Sequence, residues 1–204
     1  FGFYFFEGSV RKRATYCLCL LLFVIGVANL VSQSSTDALY QMHQPFCWGS
    51  TQIGYYDCIR GAGAYVLGAI FLIVMQRFMT SEKIAMIGLL FQGSSFIYEA
   101  FLWKSWQFYL VPIIGSPGAP LTSIIRTMLS VLTGPERQGA LFSSVAVVES
   151  IVALVGVVAW NKIYGATVDF MPGFVYIMMA ACSFMTFVMF IVYLQVREKP
   201  QPIK

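Results

Sequence analysis

Long apolar runs alternate with short polar stretches along most of the chain. Six runs are present, over residues 14–31, 53–75, 84–103, 106–132, 139–160 and 174–196. A helix needs about 20 mostly apolar residues to cross the hydrocarbon core of a bilayer, and each run is close to that length. The pattern therefore predicts an all-α membrane protein with six transmembrane helices.

The two ends of the chain lie outside these runs. We expect residues 1–13 to be a cytoplasmic or interfacial leader, residues 14–196 the six-helix transmembrane unit, and residues 197–204 a cytoplasmic tail. The leader begins with Phe1 rather than Met and shows no cleavable signal peptide, which is typical of a truncated or interfacial segment.

Lysine and arginine are distributed unevenly between the two sides of the predicted bundle. The side that is poor in positive charge carries only Lys104 and Lys162, with Arg60 a few residues inside the second run. The other side carries Arg11, Lys12, Arg13, Arg77, Lys83, Arg137, Arg197, Lys199 and Lys204. Because excess positive charge marks the cytoplasmic side of membrane proteins, both ends of the chain are predicted to be cytoplasmic.

The composition excludes an ordinary soluble domain. The residues are 58% hydrophobic and only 11% charged, whereas roughly 25% charged residues are usual in soluble domains. The net charge of +4 does not indicate a nucleic-acid partner, since no basic run is long enough to form a phosphate-binding face. The lipid bilayer is the expected surrounding.

Cysteine and histidine spacing gives no indication of a metal site or another cofactor. The five cysteines lack CxxC or CxxH spacing, and the single His43 is isolated. Cys47 lies in a predicted outside loop, where oxidising conditions allow a disulfide. The runs contain no His/Asp/Ser or metal-ligand constellation, so an intramembrane enzyme is not predicted.

Glu149 is the most informative polar residue within the runs. It lies about ten residues into the fifth run, which at about 1.5 Å per residue puts it close to the bilayer centre. A carboxylate there costs about 2.5–3.5 kcal/mol on insertion scales, so it needs a partner or a function. We expect Glu149 to bind a proton or a substrate cation; the alternative is a protonated side chain hydrogen-bonded to a neighbouring helix backbone. Arg126, in the fourth run, is expected to face an anionic substrate or to add to the cytoplasmic positive charge.

Other charged residues lie closer to the ends of the runs. Asp57 and Arg60 are three residues apart on one helix face, so they can pair with each other. Asp37 and Glu99 are expected near the outer ends of helices, where solvation costs little. Asp37 is nevertheless the next carboxylate after Glu149 that could carry a proton, and Arg60 is kept as a candidate partner of the substrate or of the proton site.

The fourth run contains glycines and prolines that are incompatible with a continuous helix. They are Gly115, Pro117, Gly118 and Pro120. Proline removes a backbone donor and glycine tolerates open backbone, so the helix is predicted to break or kink at this point. Transporters often line a midplane cavity with such interrupted helices, whereas a passive kink is the alternative.

Short motifs along the chain carry a family resemblance. In chain order they are Leu39-Tyr40, Pro45-Phe46-Cys47-Trp48, Ile53-Gly54-Tyr55, Ile125-Arg126 with Leu129-Ser130, Gln138-Gly139-Ala140-Leu141-Phe142-Ser143, Tyr164 with Ala166-Thr167, and Phe170-Met171 with Gly173-Phe174. Over roughly residues 39–174 the chain resembles the C-terminal half of the proton-coupled folate transporter family. The motifs follow the order that they have in that family.

The resemblance implies a fold and three residue roles. The family belongs to the major facilitator superfamily, whose members consist of two six-helix halves, so the chain would be the C-terminal half and its N-terminal half a missing partner. Arg126 occupies the place of a family arginine implicated in substrate and proton coupling, and Tyr55 that of a tyrosine lining the translocation path. Cys47 occupies the place of a cysteine that is disulfide-bonded to the other half.

Two classes of function remain open at this point. The first is a secondary active transporter of a small organic anion, folate-like or related, in the plasma membrane or an endolysosomal membrane. In it Arg126 holds the substrate while Glu149 or Asp37 takes up the coupled proton. The second is a non-transporting receptor or assembly subunit, or an inactive half-transporter. A receptor would favour a large outside ligand domain or a seventh span, neither of which the sequence contains, so transport is the preferred hypothesis.

Overall fold

A computed structural model describes residues 10–133 and 135–196, without the side chains of residues 10–12. Most of the predicted leader and the whole predicted tail therefore lie outside the described residues. The α-helices are α1 Val10–Met42, α2 Ser50–Gln76, α3 Ser81–Ala100, α4 Val111–Gly115, α5 Leu121–Leu132, α6 Gln138–Thr167 and α7 Phe174–Val196. Short 3-10 helices cover Ser105–Leu110, Ser116–Gly118 and Pro135–Arg137.

Five helical segments in the described part are long and apolar enough to cross a membrane. They are Arg13–Met42, Ser50–Gln76, Ser105–Leu132, Pro135–Thr167 and Phe174–Val196. Each coincides with one of the six predicted runs. The remaining run, 84–103, coincides with α3, which is helical but is not among the five, because residues such as Lys83, Gln92 and Glu99 lower its apolar content.

The first predicted span ends too early. The apolar run stops at residue 31, but α1 continues to Met42 through a polar stretch. This stretch is largely enclosed by the bundle, and several of its polar side chains meet partners on other helices. Asn161 of α6, for example, donates to the Ser35 hydroxyl at 2.8 Å, and Thr36 is fully buried. A polar sequence thus continues a helix because the neighbouring helices supply matching polar groups.

Helix α1 lies at the centre of the bundle. It packs against α6, α7 and α5, while α3 packs against α7 and α4 on the other side. We call the end of the bundle at which α1 ends and α2 begins the distal end, and the opposite end the proximal end. The predicted orientation would make the distal end the outside.

Two apolar clusters are separated by a polar layer. The proximal cluster includes Leu22, Phe23, Leu89, Ile125 and Phe190. The distal cluster includes Tyr40, Phe46, Trp48, Phe108 and Tyr176. Between them, buried polar residues of α1 such as Asn29 and Ser32 face α6 and α7. In this way the fold brings polar side chains together inside an otherwise apolar bundle.

Two helices present wide apolar surfaces outside the bundle. Helix α2 buries only Ile53, Tyr56 and Gly68 among its residues. Large apolar side chains of α2 and α6, such as Tyr65, Ile73, Leu154 and Val155, are more than half exposed. These faces need lipid or further protein against them.

Candidate functional site

The fourth predicted span is built from pieces rather than from one helix. Helix α4 ends at Gly115, a 3-10 turn covers Ser116–Gly118, and α5 begins at Leu121 after Pro120. Nearby serine side chains donate hydrogen bonds to backbone carbonyl groups of α4, beside the interruption. Ser116 donates to Ile113 at 3.0 Å, and Ser95 of α3 donates to Val111 at 3.1 Å. The glycines and prolines of the sequence thus coincide with an interruption stabilised by side-chain hydrogen bonds.

Close backbone contacts hold this interruption between α2 and α3. A Cβ atom added to Gly88 of α3 would lie 2.6 Å from the carbonyl oxygen of Pro117. One added to Gly68 of α2 would lie 2.9 Å from the Cβ of Ala119. Both helices therefore approach the turn more closely than any other residue type would allow.

Arg126 and Glu149 form an ion pair between α5 and α6. Nη2 of Arg126 donates to Oε2 of Glu149, and the two side chains are 40% and 36% exposed. Apolar residues of α5 at helical spacing, including Ile125 and Leu129, turn into the core, so Arg126 is left on the opposite face. The guanidinium also lies over the Phe23 ring, 5.5 Å from its centroid.

The pair gives each of these residues a partner. Glu149 bonds to an arginine side chain of a neighbouring helix, not to its backbone. The roles predicted for Glu149 and Arg126 stay predictions. Nε of Arg126 has no hydrogen-bond partner among the described residues. Because a guanidinium carries five N–H donors in a fixed fork, Arg126 retains capacity for another anionic group.

Asp37 and Arg60 lie in a second charged group towards the distal end. Nη1 of Arg60 donates to Oδ2 of Asp37 at 2.6 Å, and its Nη2 lies 3.2 Å from Oδ1 of Asp57. Tyr176 of α7 donates to the other oxygen of Asp37 at 2.9 Å. The expected pairing of Asp57 with Arg60 is therefore present, but the shorter contact of Arg60 is with Asp37.

Asp37 and Glu99 are not solvated, contrary to the expectation from their positions near helix ends. Asp37 is 1% exposed and Glu99 is 0% exposed. Helix α1 is longer than predicted, and α2, α3 and α7 enclose its polar stretch. Gln33 of α1 donates to Oε2 of Glu99 at 3.2 Å. We refer to Asp37, Asp57, Arg60 and Glu99 as the distal charged cluster.

Aromatic rings cover the distal charged cluster. The link between α1 and α2 folds back onto the bundle, so that Phe46 and Trp48 are buried. Their ring centroids lie 4.8 Å and 5.0 Å from that of Phe108. Tyr40 and Tyr56 pack against the same Phe108 ring. This aromatic cap separates the buried carboxyl groups of Asp37 and Glu99 from the distal surface, and it includes residues from the motif that carries the family resemblance.

A small cavity joins the interruption to the distal charged cluster. Its volume is about 70 Å³. Gln33, Arg60, Gln92 and Ser95 supply polar groups to its wall, and Gly115 and Gly118 line it from the interrupted span. The rest of the wall is mainly apolar, so these four side chains are the polar groups that a water molecule in the cavity would contact.

Tyr55 and Cys47 are the remaining candidates. Tyr55 is exposed on α2, in keeping with the open surface of that helix. Cys47 is exposed in the α1–α2 link, in a left-handed backbone conformation with φ of 50°. It forms no disulfide within the described residues. Its predicted disulfide to a missing half therefore stays a prediction.

Curated relatives cover most of the chain. No protein-family model matches it. The lysosomal proton-coupled steroid conjugate and bile acid symporter of Mus musculus is 28% identical over 176 residues, which is 86% of the chain and 38% of the relative. The same symporter of Homo sapiens is 28% identical over 183 residues. The proton-coupled folate transporter of Rattus norvegicus is 28% identical over 201 residues, which is 96% of the chain and 42% of the relative.

These relatives, together with the five apolar helices, identify a multi-pass membrane protein. The chain spans about two fifths of the length of the relatives that it matches. The resemblance predicted from the sequence is confirmed: over most of its length the chain is similar to proton-coupled transporters of the solute carrier 46 family, which includes the proton-coupled folate transporter.

Proposed function

We propose that this chain is one half of a secondary active transporter that couples the movement of a small organic anion to that of protons. The observation that carries the proposal is the Arg126–Glu149 pair, an accessible arginine and carboxylate within membrane-spanning helices. Charged residues at such depth are rare and usually belong to substrate or ion pathways. No catalytic step is part of the proposal, which agrees with the relatives being transporters.

The proposed architecture is a six-span half of the major facilitator superfamily, with α3 as the further span and both ends in the cytoplasm. Two features support a missing N-terminal half. The chain covers 38% to 42% of the relatives, and α2 and α6 carry wide apolar surfaces outside the bundle. In this superfamily the substrate site lies between the halves. Tyr55 on exposed α2 would then line that path, and Cys47 would be cross-linked to the other half.

Protonation of Glu149 is the proposed trigger for substrate binding at Arg126. While Glu149 is ionised, it occupies one edge of the Arg126 guanidinium. When Glu149 takes up a proton, its negative charge is lost and the pair weakens, so the guanidinium becomes available to a carboxylate or sulfate of the substrate. The fork geometry of arginine favours bidentate binding of such groups. Substrate anion and proton are then bound together.

The relatives suggest the class of substrate. Their names give folate, steroid conjugates and bile acids as substrates. These are amphipathic organic molecules that bear acidic groups, which fits an arginine beside the apolar surfaces of α2 and α6. One relative is named as lysosomal, so a lysosomal or plasma membrane is the proposed location. The interrupted span is proposed to move as a gate, because its turn is not part of a continuous helix.

Transport by the full-length protein that contains this chain tests the proposal. The protein is reconstituted in liposomes with an imposed proton gradient, and uptake of a labelled folate, a steroid sulfate and a bile acid is measured. We expect accumulation of at least one of them that disappears when the gradient is collapsed. Arg126→Ala should abolish that accumulation, whereas Arg126→Lys should keep part of it because the charge remains. Equal uptake by the parent and Arg126→Ala would contradict the role of the pair.

A further inference from the structure

The distal charged cluster is not used in the proposed exchange between Arg126 and Glu149. Asp37 of α1 lies one helical turn after Gln33, which donates to Oε2 of Glu99 of α3 at 3.2 Å, so the two buried carboxyl groups are neighbours. Arg60 of α2 donates to Asp37 at 2.6 Å, and its positive charge also attracts the carboxylate of Glu99. The cluster therefore joins three helices through charge rather than through apolar contact.

The charges in the cluster do not balance when every acid is ionised. Three carboxylates, those of Asp37, Asp57 and Glu99, would then surround the single guanidinium of Arg60. The further groups that face the pair are uncharged hydroxyls, from Tyr56 on α2, Tyr176 on α7 and Tyr40 on α1. Two neighbouring carboxylates that are buried away from water are not expected to stay ionised together without further positive charge.

Two buried polar atoms beside the carboxyl pair are unsatisfied within the described part of the chain, and one of them is a carboxylate oxygen that a proton would satisfy. Oε1 of Glu99 and the hydroxyl of Tyr56 have no hydrogen-bond partner among the described residues, and both side chains are fully buried. Buried polar atoms are seldom left unpaired in proteins. A proton on either carboxyl group creates an O–H donor between Asp37 and Glu99.

The cavity beside the interrupted span lies next to the hydrogen-bond partners of this pair. Gln33 and Arg60 both line that cavity. Gln33 donates to Glu99, and Arg60 donates to Asp37. Each carboxyl group is thus one side chain away from the cavity, whereas the aromatic cap closes the distal side.

We propose that Asp37 and Glu99 form a proton-binding carboxyl pair that is reached through the cavity beside the helix interruption. On binding, one carboxylate oxygen gains a proton from water and becomes a hydroxyl that donates to the other carboxylate, and no other bond changes. Loss of negative charge at Asp37 weakens its ion pair with Arg60, which ties α1 to α2 at the distal end. Proton binding by Asp37 and Glu99 does not depend on the proposed function, whereas the use of that proton in transport rests on it.

Infrared spectroscopy of the purified full-length protein tests proton binding without any substrate. A protonated carboxyl group has a C=O stretching band that is separate from the amide bands and shifts in D₂O. At neutral pH the parent should show this band, and Glu99→Gln should lose the contribution of one carboxyl group. Glu136→Gln is the matched control, since it makes the same chemical change at an exposed residue of the proximal end, and it should keep the band.

Two results would overturn the proposal. One is an unchanged band in folded Glu99→Gln and in folded Asp37→Asn. The other is failure of both variants to fold, because glutamine and asparagine mimic the protonated carboxyl groups and should be tolerated if that form is native. Proton-driven uptake is measured on the same preparations. Absence of uptake by the parent would contradict the proposed function while leaving the infrared result to decide on the carboxyl pair.

Discussion

The two arginine ion pairs of the bundle allow a matched test, because they share their chemistry and differ in burial. Arg60 pairs with Asp37, and the side chains are 18% and 1% exposed. Arg126 pairs with Glu149, and the side chains are 40% and 36% exposed. We compare Arg60→Met with Arg126→Met, each of which removes the cation and keeps most of the side-chain volume.

The expected losses of stability differ several-fold. Removing one partner of a buried ion pair costs about 3–5 kcal/mol, because the other charge stays buried without compensation. An exposed pair contributes only about 0.2–1 kcal/mol. Arg60→Met should therefore lower the free energy of unfolding by roughly 2–4 kcal/mol more than Arg126→Met. Acidification neutralises the carboxylates that Arg60→Met leaves behind, so its loss of stability should shrink as the pH falls.

Thermal unfolding of the full-length variants in detergent measures this difference. Arg60→Met should melt several degrees below the parent at neutral pH and recover part of that loss in acid. Arg126→Met should melt close to the parent but fail in uptake. Equal melting temperatures for the two variants at neutral pH would refute the assigned difference in burial.

Three further predictions follow from the packing, the predicted disulfide and the predicted topology. Gly88→Val should lower stability and uptake, since its Cβ atom would lie 2.6 Å from the Pro117 oxygen and overpacking costs about 1–3 kcal/mol. The control is Gly139→Ala, whose Cβ atom would meet nothing within 4 Å. Equal effects of the two changes would contradict the close contact at Gly88. Mass spectrometry of the full-length protein should find Cys47 cross-linked to a cysteine outside this chain, whereas a readily alkylated thiol would count against that pairing. In a background without Cys47 and Cys58, an impermeant thiol reagent should label Ser50→Cys but not Ser81→Cys from the outside, and the reverse pattern would reject the predicted orientation.

The sequence predicts the helices well where they are apolar and poorly where they are polar. The run 174–196 begins with α7 at Phe174, because Pro172 and Gly173 precede the helix, and it is helical to Val196, the last described residue. Helix α1 passes its predicted end because Gln33, Ser35 and Asp37 find partners on α2, α3, α6 and α7. Such partners are distant in sequence, so hydropathy alone cannot reveal them.

The candidate site was only partly visible in the sequence for the same reason. The depth of Glu149 and of Arg126 in their runs marks each as a candidate, and two opposite charges in successive spans are the available signal that they pair. The position of Glu99 near a helix end predicts a solvated side chain. Its burial depends on the packing of α3 against α7 and on the hydrogen bond from Gln33 of α1, which only the fold shows. The distal charged cluster is therefore a property of tertiary structure.

The pH dependence of uptake in Glu149→Gln tests whether the coupled proton is exchanged at the Arg126–Glu149 pair. Glutamine keeps the volume and hydrogen-bonding capacity of Glu149 but does not titrate. The full-length variant should reach the membrane as the parent does, and its uptake should change much less between acidic and neutral pH. Glu136→Gln, the same change at an exposed residue of the proximal end, should keep the parental profile. A parental pH profile in Glu149→Gln would contradict the proposed exchange of a proton at the Arg126–Glu149 pair.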